Sequence, residues 1–242
     1  MKRASSTDEL KLILDDEMGN IVNAEYLELV LTPGFVDKRI YAIYLIETYH
    51  YTYHNARNQA LVATRPECRD IRYMKYCLKH ALDEAGHELM ALHDLKKSGY
   101  FSIDYKEMKD SDLPKPLMAT EILIAYLYRA STTGNPLTRL GYSFWAERIY
   151  EYLSPLMAMF GQLGVEKSAM TFLVDHSAID AEHAVEVDRA INMFAKTPQD
   201  WEDIEDCMKT SLRLKAKVMD AVFEEFVKLK KGTSDRYNFL NK

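Results

Sequence analysis

The chain has 242 residues, with 31 Lys and Arg against 37 Asp and Glu, a formal net charge of −6, and only 9 Gly and 7 Pro in a sequence that is 48% hydrophobic. That length can bury a substantial core in a single large domain, and so few Gly and Pro favour long helices over a strand-and-turn architecture. The acidic balance argues against a nucleic-acid binder, since Lys and Arg are scattered apart from the short cluster Lys228-Leu-Lys230-Lys231.

Ser6-Thr7-Asp8-Glu9 is a capping-box pattern that opens a short helix from Glu9 to about Glu17, and a second is expected over Ala24 to Leu31, stopped by Thr32-Pro33-Gly34. From Val36 to Thr64 there is no Gly or Pro, and apolar and aromatic residues recur at helical spacing, which predicts one long helix carrying Glu47, His50 and His54. After a break at Pro66, a helix over Cys68 to Lys97 is expected to end at the glycine cap Ser98-Gly99. Polar residues with Pro114 and Pro116 mark Tyr100 to Pro116 as a surface connection. Further helices are expected over Leu117 to Thr132, Leu137 to Leu163, Glu166 to Phe194 and, behind the cap Thr197 with Pro198 at its first position, Gln199 to Lys231. Residues 232–242 read as a flexible tail.

The sharpest signal is a repeated spacing. His80-Ala-Leu-Asp-Glu84-Ala-Gly-His87 and His176-Ser-Ala-Ile-Asp180-Ala-Glu-His183 share the pattern His-x3-[Asp/Glu]-x2-His, and these two octads hold four of the seven histidines. Steps of three and four return to one helix face, so each octad can aim imidazoles and a carboxylate at one spot. Facing helices that do so build metal sites inside bundles. His176, Asp180 and His183 would be costly to bury together without a metal or partner. In the first octad Glu84 and His87 form the carboxylate and histidine pair of a ligand helix, while His80 reads as a partner behind a ligand or an exposed histidine ahead of a ligand itself. Asp83, Glu88 and His93 read as solvated helix face.

Glu47 sits in the run Tyr44-Leu45-Ile46-Glu47-Thr48-Tyr49, where an unpaired carboxylate would be expensive, and is a candidate ligand. His54 reads as core or surface ahead of a ligand. Glu147 and Glu151 compete for one role on the next ligand-bearing helix, and spacing does not choose between them. The three cysteines, Cys68, Cys77 and Cys207, form neither a metal-type pair nor an even disulfide set. They read as thiols of a reducing compartment. The start runs into Asp8 and Glu9 rather than an apolar stretch, and nothing reaches the roughly 18 apolar residues of a membrane span, so the expectation is a cytoplasmic protein without a membrane partner.

Four segments in order resemble the haem-oxygenase-like di-iron oxidases and oxygenases, related in fold to the TenA proteins and to pyrroloquinoline quinone synthase. They are Glu47 in a Tyr-rich helix, Asp83-Glu84-Ala-Gly-His87 with Asp94-Leu95 and Gly99, Leu140-Gly141-Tyr142 leading to Glu147, and His176-x3-Asp180-x2-His183. The resemblance spans about Ile40 to Ala190. It implies an all-α, haem-oxygenase-like bundle of about seven helices and a site of three histidines and four carboxylates holding two Fe(II), with Mn as the other metal this donor set suits. One iron would be held by Glu84, His87 and His183 or His176, the other by the remaining histidine with Asp180 and Glu47, with Glu147 bridging. Where some members place a histidine seven residues after the glutamate this chain has Ala91, so Glu84-x2-His87 must be the operative pair.

The implied function is an O2-dependent oxidation of a small amino acid or amine, by N-oxygenation, oxidative C–C cleavage or nitrile formation. Alternatives are a metal-free TenA-like hydrolase or cofactor-pathway enzyme of the same fold, a fatty-acid-decarboxylating di-iron oxidase, and a metal-storage module. A homodimer is the prior set by how commonly soluble proteins form one. The group that would anchor a substrate is missing from this reading, with Arg57 and Arg129 as weak candidates.

Overall fold

The structure, a computed structural model, describes residues 3–22, 34–102, 106–109 and 112–241, and of residues 21–22 and 175–181 the backbone alone. The described chain forms ten α-helices and four short 3-10 turns, with no strand among the described residues. The helices are α1 (Thr7–Val22), α2 (Arg39–Tyr53), α3 (Asn55–Ala63), α4 (Ile71–Asp83), α5 (Glu88–Lys97), α6 (Met118–Thr132), α7 (Leu140–Ala146), α8 (Ser154–Gln162), α9 (Thr171–Phe194) and α10 (Pro198–Lys231). The all-α expectation holds. The helix expected over Ala24 to Leu31 lies outside the described residues.

Two helices organise the rest. α10 begins at the cap read from the sequence, which the structure completes as a capping box: the Thr197 hydroxyl accepts from Asp200 N at 3.2 Å, and the Asp200 carboxylate accepts from Thr197 N at 2.8 Å. Its 34 residues span roughly 50 Å and present a stripe including Ile204, Met208, Leu212, Val218, Val222, Phe226 and Leu229 to α1, α2, α6 and α7. α2 is buried on every side from Ile40 to Thr48, as a helix apolar all round must be.

Three helices expected to be continuous are interrupted. The Val36 to Thr64 helix tightens at His54, whose N–H bonds Tyr51 O at 3.1 Å in the i to i−3 manner of a 3-10 turn. The Cys68 to Lys97 helix starts at Ile71 behind the cap Asp70 and breaks at Glu84–His87, where Gly86 takes φ 101°, a conformation only glycine enters freely. The Leu137 to Leu163 helix breaks at Glu147 and Arg148, and Arg148 secures that break by donating to Phe144 O at 3.1 Å and pairing with Asp188 on α9. Apolar periodicity carries no sign of these breaks, but Gly86 and Pro155, which opens α8 beside its first residue, were composition signals for two of them.

The start of α9 is capped from another helix. Asp94 of α5 accepts from Thr171 N at 2.9 Å and Phe172 N at 2.8 Å, satisfying donors that a helix N-terminus leaves open. The tail expected to fray is instead packed: Tyr237 and Leu240 are each 1% exposed, and Arg236 donates to the carbonyls of Lys115 and Pro116.

α7 and α10 meet at Gly141, where an added Cβ would lie 2.1 Å from Ile204 O and 2.7 Å from Met208 N. Both are backbone atoms of α10 and cannot swing aside. Gly141→Ala is expected to destabilise the protein by at least about 1–3 kcal/mol, the usual range for overpacking, read as a fall in the denaturant midpoint. An unchanged midpoint would mean that the two backbones do not meet this closely.

Candidate metal centre

The breaks in the helices gather five side chains. His80 ends α4, Glu84 and His87 occupy the turn between α4 and α5, Glu147 follows α7, and His183 stands in the middle of α9; all five are buried. They form a chain of alternating imidazole and carboxylate. His87 Nδ1 lies 3.3 Å from Glu84 Oε1, which lies 3.5 Å from His183 Nδ1; that nitrogen lies 3.3 Å from Glu147 Oε2, and Glu147 Oε1 lies 3.3 Å from His80 Nε2. Donor atoms of His80, Glu147 and His183 all fall within 4.8 Å of one another.

These contacts are too long or misaligned to be hydrogen bonds. Glu84 Oε1, both ring nitrogens of His80 and His183 Nδ1 have no hydrogen-bonding partner among the described residues, although all are shielded from solvent. Buried polar atoms left this way are costly. The donor set and its spacing fit a metal: atoms each about 2.1 Å from one ion stand roughly 3.0–3.5 Å apart. The electrostatics agree. Burial pushes the Glu84 carboxyl up, but His183, His87 and His80 outweigh it and hold the group well below the usual carboxylate range. Glu147 is raised by burial and by the charge of Glu84, yet His183 and His80 bring it below its ordinary value. The His183 imidazole, between Glu147 and Glu84, is pushed up to about 10. Two buried carboxylates thus demand positive charge at one point.

Behind this chain lies a polar network that the sequence reading missed. Asn55 Nδ2 donates to Glu84 Oε2 at 2.5 Å, so one oxygen is fixed from behind while the other faces the histidines. Arg139 is fully buried and holds Asn55 Oδ1 at 2.5 Å, Asn58 Oδ1 at 2.7 Å and Ser143 Oγ at 2.8 Å, with its guanidinium 4.3 Å from the centre of the Tyr142 ring. The legible signal was the amide run Asn55, Asn58, Gln59 at helical spacing, which no solvated face required. Tyr76 stacks on the His80 ring with centroids 5.7 Å apart and 15° between planes, fixing its orientation.

The expected ligands divide. Glu84, His87, Glu147 and His183 are brought together, and His80 joins them although the sequence ranked it below a ligand. Glu151 is resolved away from Glu147, pairing with Lys11 at 3.2 Å. Glu47 is buried among other partners: Oε2 accepts from Leu117 N at 3.0 Å and from Thr120 Oγ1, and Oε1 accepts from Tyr237 OH at 2.9 Å. It caps α6 and docks the C-terminal segment. His54 meets Tyr128 OH at 2.9 Å. The side chains of His176 and Asp180 lie outside the described residues.

A buried imidazole and carboxylate cluster set between interrupted helices could hold a metal ion inside an all-helical protein. The chain belongs to the haem-oxygenase-like family of iron-containing redox enzymes, whose model matches residues 42–216. A domain of unknown function with a haem oxygenase-like fold from Shewanella denitrificans OS217 is 41% identical, covers 95% of this chain and 96% of its own, and superposes with a TM-score of 0.85. A TenA homologue from P. horikoshii OT3 shares the fold at 14% identity and a TM-score of 0.61, over 90% of this chain and 98% of its own. Another from Pseudomonas syringae pv. tomato DC3000 does so at 11% and 0.62, over 93% and 99%. No curated protein matches the sequence.

Asn55→Leu is expected to free Glu84 Oε2 and weaken metal binding by about 10–100-fold, the range for groups that orient a ligand. A Co(II) titration followed by visible absorption checks it, with helix content by circular dichroism as the control. Wild-type affinity in the variant would remove Asn55 from the site.

Proposed function

We propose that the chain is a non-haem di-iron enzyme that uses O2 to oxidise a small substrate, an amino acid or an amine. The observation that carries this reading is the order of the chain His87, Glu84, His183, Glu147, His80. Glu84 with His87 at one end and Glu147 with His80 at the other offer two separate carboxylate and imidazole pairs, and His183 stands between them. A single ion does not use both ends. Two ions need about six side-chain ligands, and His176 and Asp180, on the same helix as His183, supply the remainder in this proposal.

Bound ferrous ions would supply the electrons for reducing O2. The chain's own residues set the conditions. Glu84 is presented in one orientation by Asn55 and Arg139, and His80 is held in plane by Tyr76. Gly86 bends the chain so that Glu84 and His87 meet across a turn. Trp145, on the last turn before Glu147, is tied to α10 through Nε1 to Ser211 Oγ at 2.8 Å, and with Tyr142 and Phe144, all three buried, it closes the cluster from water. Exclusion of water is what lets a reactive oxidant act on a substrate instead of on solvent. Whether the outcome is N-oxygenation or C–C cleavage depends on how the substrate lies.

The test is the iron content per chain after anaerobic Fe(II) loading and desalting, on the wild type, Glu84→Gln, His176→Ala and Glu47→Gln. The expected result is close to two irons in the wild type and a loss of at least half in Glu84→Gln and His176→Ala. Glu47→Gln should keep its iron and lose thermal stability, because its partners are Leu117, Thr120 and Tyr237. Wild-type protein holding little or no iron would overturn the proposal in favour of a metal-free enzyme of the same fold.

A further inference from the structure

Lys215 of α10 is the basic side chain that the site described so far leaves unused. Its Nζ is shielded from solvent and has no hydrogen-bonding partner among the described residues. It lies 4.1 Å from the centre of the Tyr51 ring and 5.4 Å from that of Tyr44. Other cations with sheltered heads have acceptors: Arg139 holds Asn55, Asn58 and Ser143, Arg148 pairs with Asp188, and Lys209 with Glu205. Two aromatic faces offset only part of the hydration that an ammonium loses, so Lys215 is stabilised fully when an anion joins it.

Ser211, one turn before Lys215 on the same face of α10, accepts from Trp145 Nε1 at 2.8 Å, and Trp145 stands two residues before Glu147. Tyr44 in turn packs on Phe160 and Tyr41, with ring centroids 5.8 and 6.1 Å away. The Lys215 stretch of α10 and its aromatic partners therefore stand beside the element that carries Glu147.

We propose that Lys215 is the substrate anchor, and that the substrate is an organic acid whose carboxylate binds the Lys215 ammonium while its apolar body lies along Tyr51 and Tyr44 towards Glu84 and Glu147. A phosphate ester would need several converging donors, and the aromatic walls suit a singly charged, weakly hydrated anion. A plain amine would meet the ammonium with like charge. The inference rests on the oxidase reading for the fate of the bound acid, and narrows its substrate to carboxylates.

The test is calorimetric titration of the anaerobic, Fe(II)-loaded protein with octanoate, L-phenylalanine, octanamide and octylamine, on the wild type, Lys215→Met and Lys215→Arg, with iron content measured on each sample. Expected is binding of at least one of the two acids in preference to octanamide and octylamine, weakened on the order of ten- to hundredfold in Lys215→Met, as loss of one charge-assisted hydrogen bond implies, and recovered in Lys215→Arg. Lys215→Met should retain the wild-type iron content. Equal affinity of Lys215→Met and wild type for the acids, or no preference for either acid over octanamide in the wild type, would overturn the anchor. An acid preference that depends on Lys215 in a protein holding no iron would keep the anchor and overturn the oxidase.

Discussion

The structure turns on burying Glu84 and Glu147 beside one another. Either carboxylate alone would be expensive in a helical core, and the two raise the cost further by mutual repulsion. Three imidazoles, threaded alternately with the carboxylates, are what make the arrangement tolerable. Asn55 and Arg139 support it from behind, with the Arg139 charge compensating the same pair at one remove. The network is as buried as the apolar core around it, so the cluster is part of how α4, α7 and α9 pack.

That packing explains why three of the five clustered side chains stand where helices stop. A side chain on an uninterrupted helix presents itself from a cylinder that cannot approach its neighbours closer than about 8–10 Å. At a break the backbone itself turns inward, and Glu84, His87 and Glu147 reach the centre from such positions. Gly141 acts to the same end by letting α7 lie directly against α10, which fixes the height at which Glu147 emerges. Asp94 does so for His183, since it sets where α9 begins. The site is thus positioned by a few contacts between backbones more than by the general hydrophobic core.

Much of this could be read from the sequence, and what could not has identifiable causes. The paired His-x3-[Asp/Glu]-x2-His spacings located Glu84, His87 and His183, and the cap at Thr197 and Pro198 gave the start of α10 to within a residue. Periodicity could not show the breaks, because a helix and a helix with one turn displaced have nearly the same apolar pattern. His80 was ranked too low for that reason: only when the chain turns at Gly86 do His80 and His87 approach the carboxylates from different sides. Glu47 in its apolar run signalled a partner, and the hydroxyl and amide that meet it are 70 or more residues away in sequence. Lys215 carried no local signal, since a lysine on an amphipathic helix ordinarily faces water.

The irregular geometry around Gly86 also bears on which substitutions the cluster can absorb. The turn from Glu84 to His87 is flanked by helices of 13 and 10 residues and bends at Gly86, whose φ of 101° other residues rarely adopt. Glu84 and His87 therefore depend on one backbone conformation for their approach to each other, while Glu147 and His183 stand on other elements. A side chain at position 86 would strain the turn that carries both groups, although nothing within 4 Å of it stands in the way.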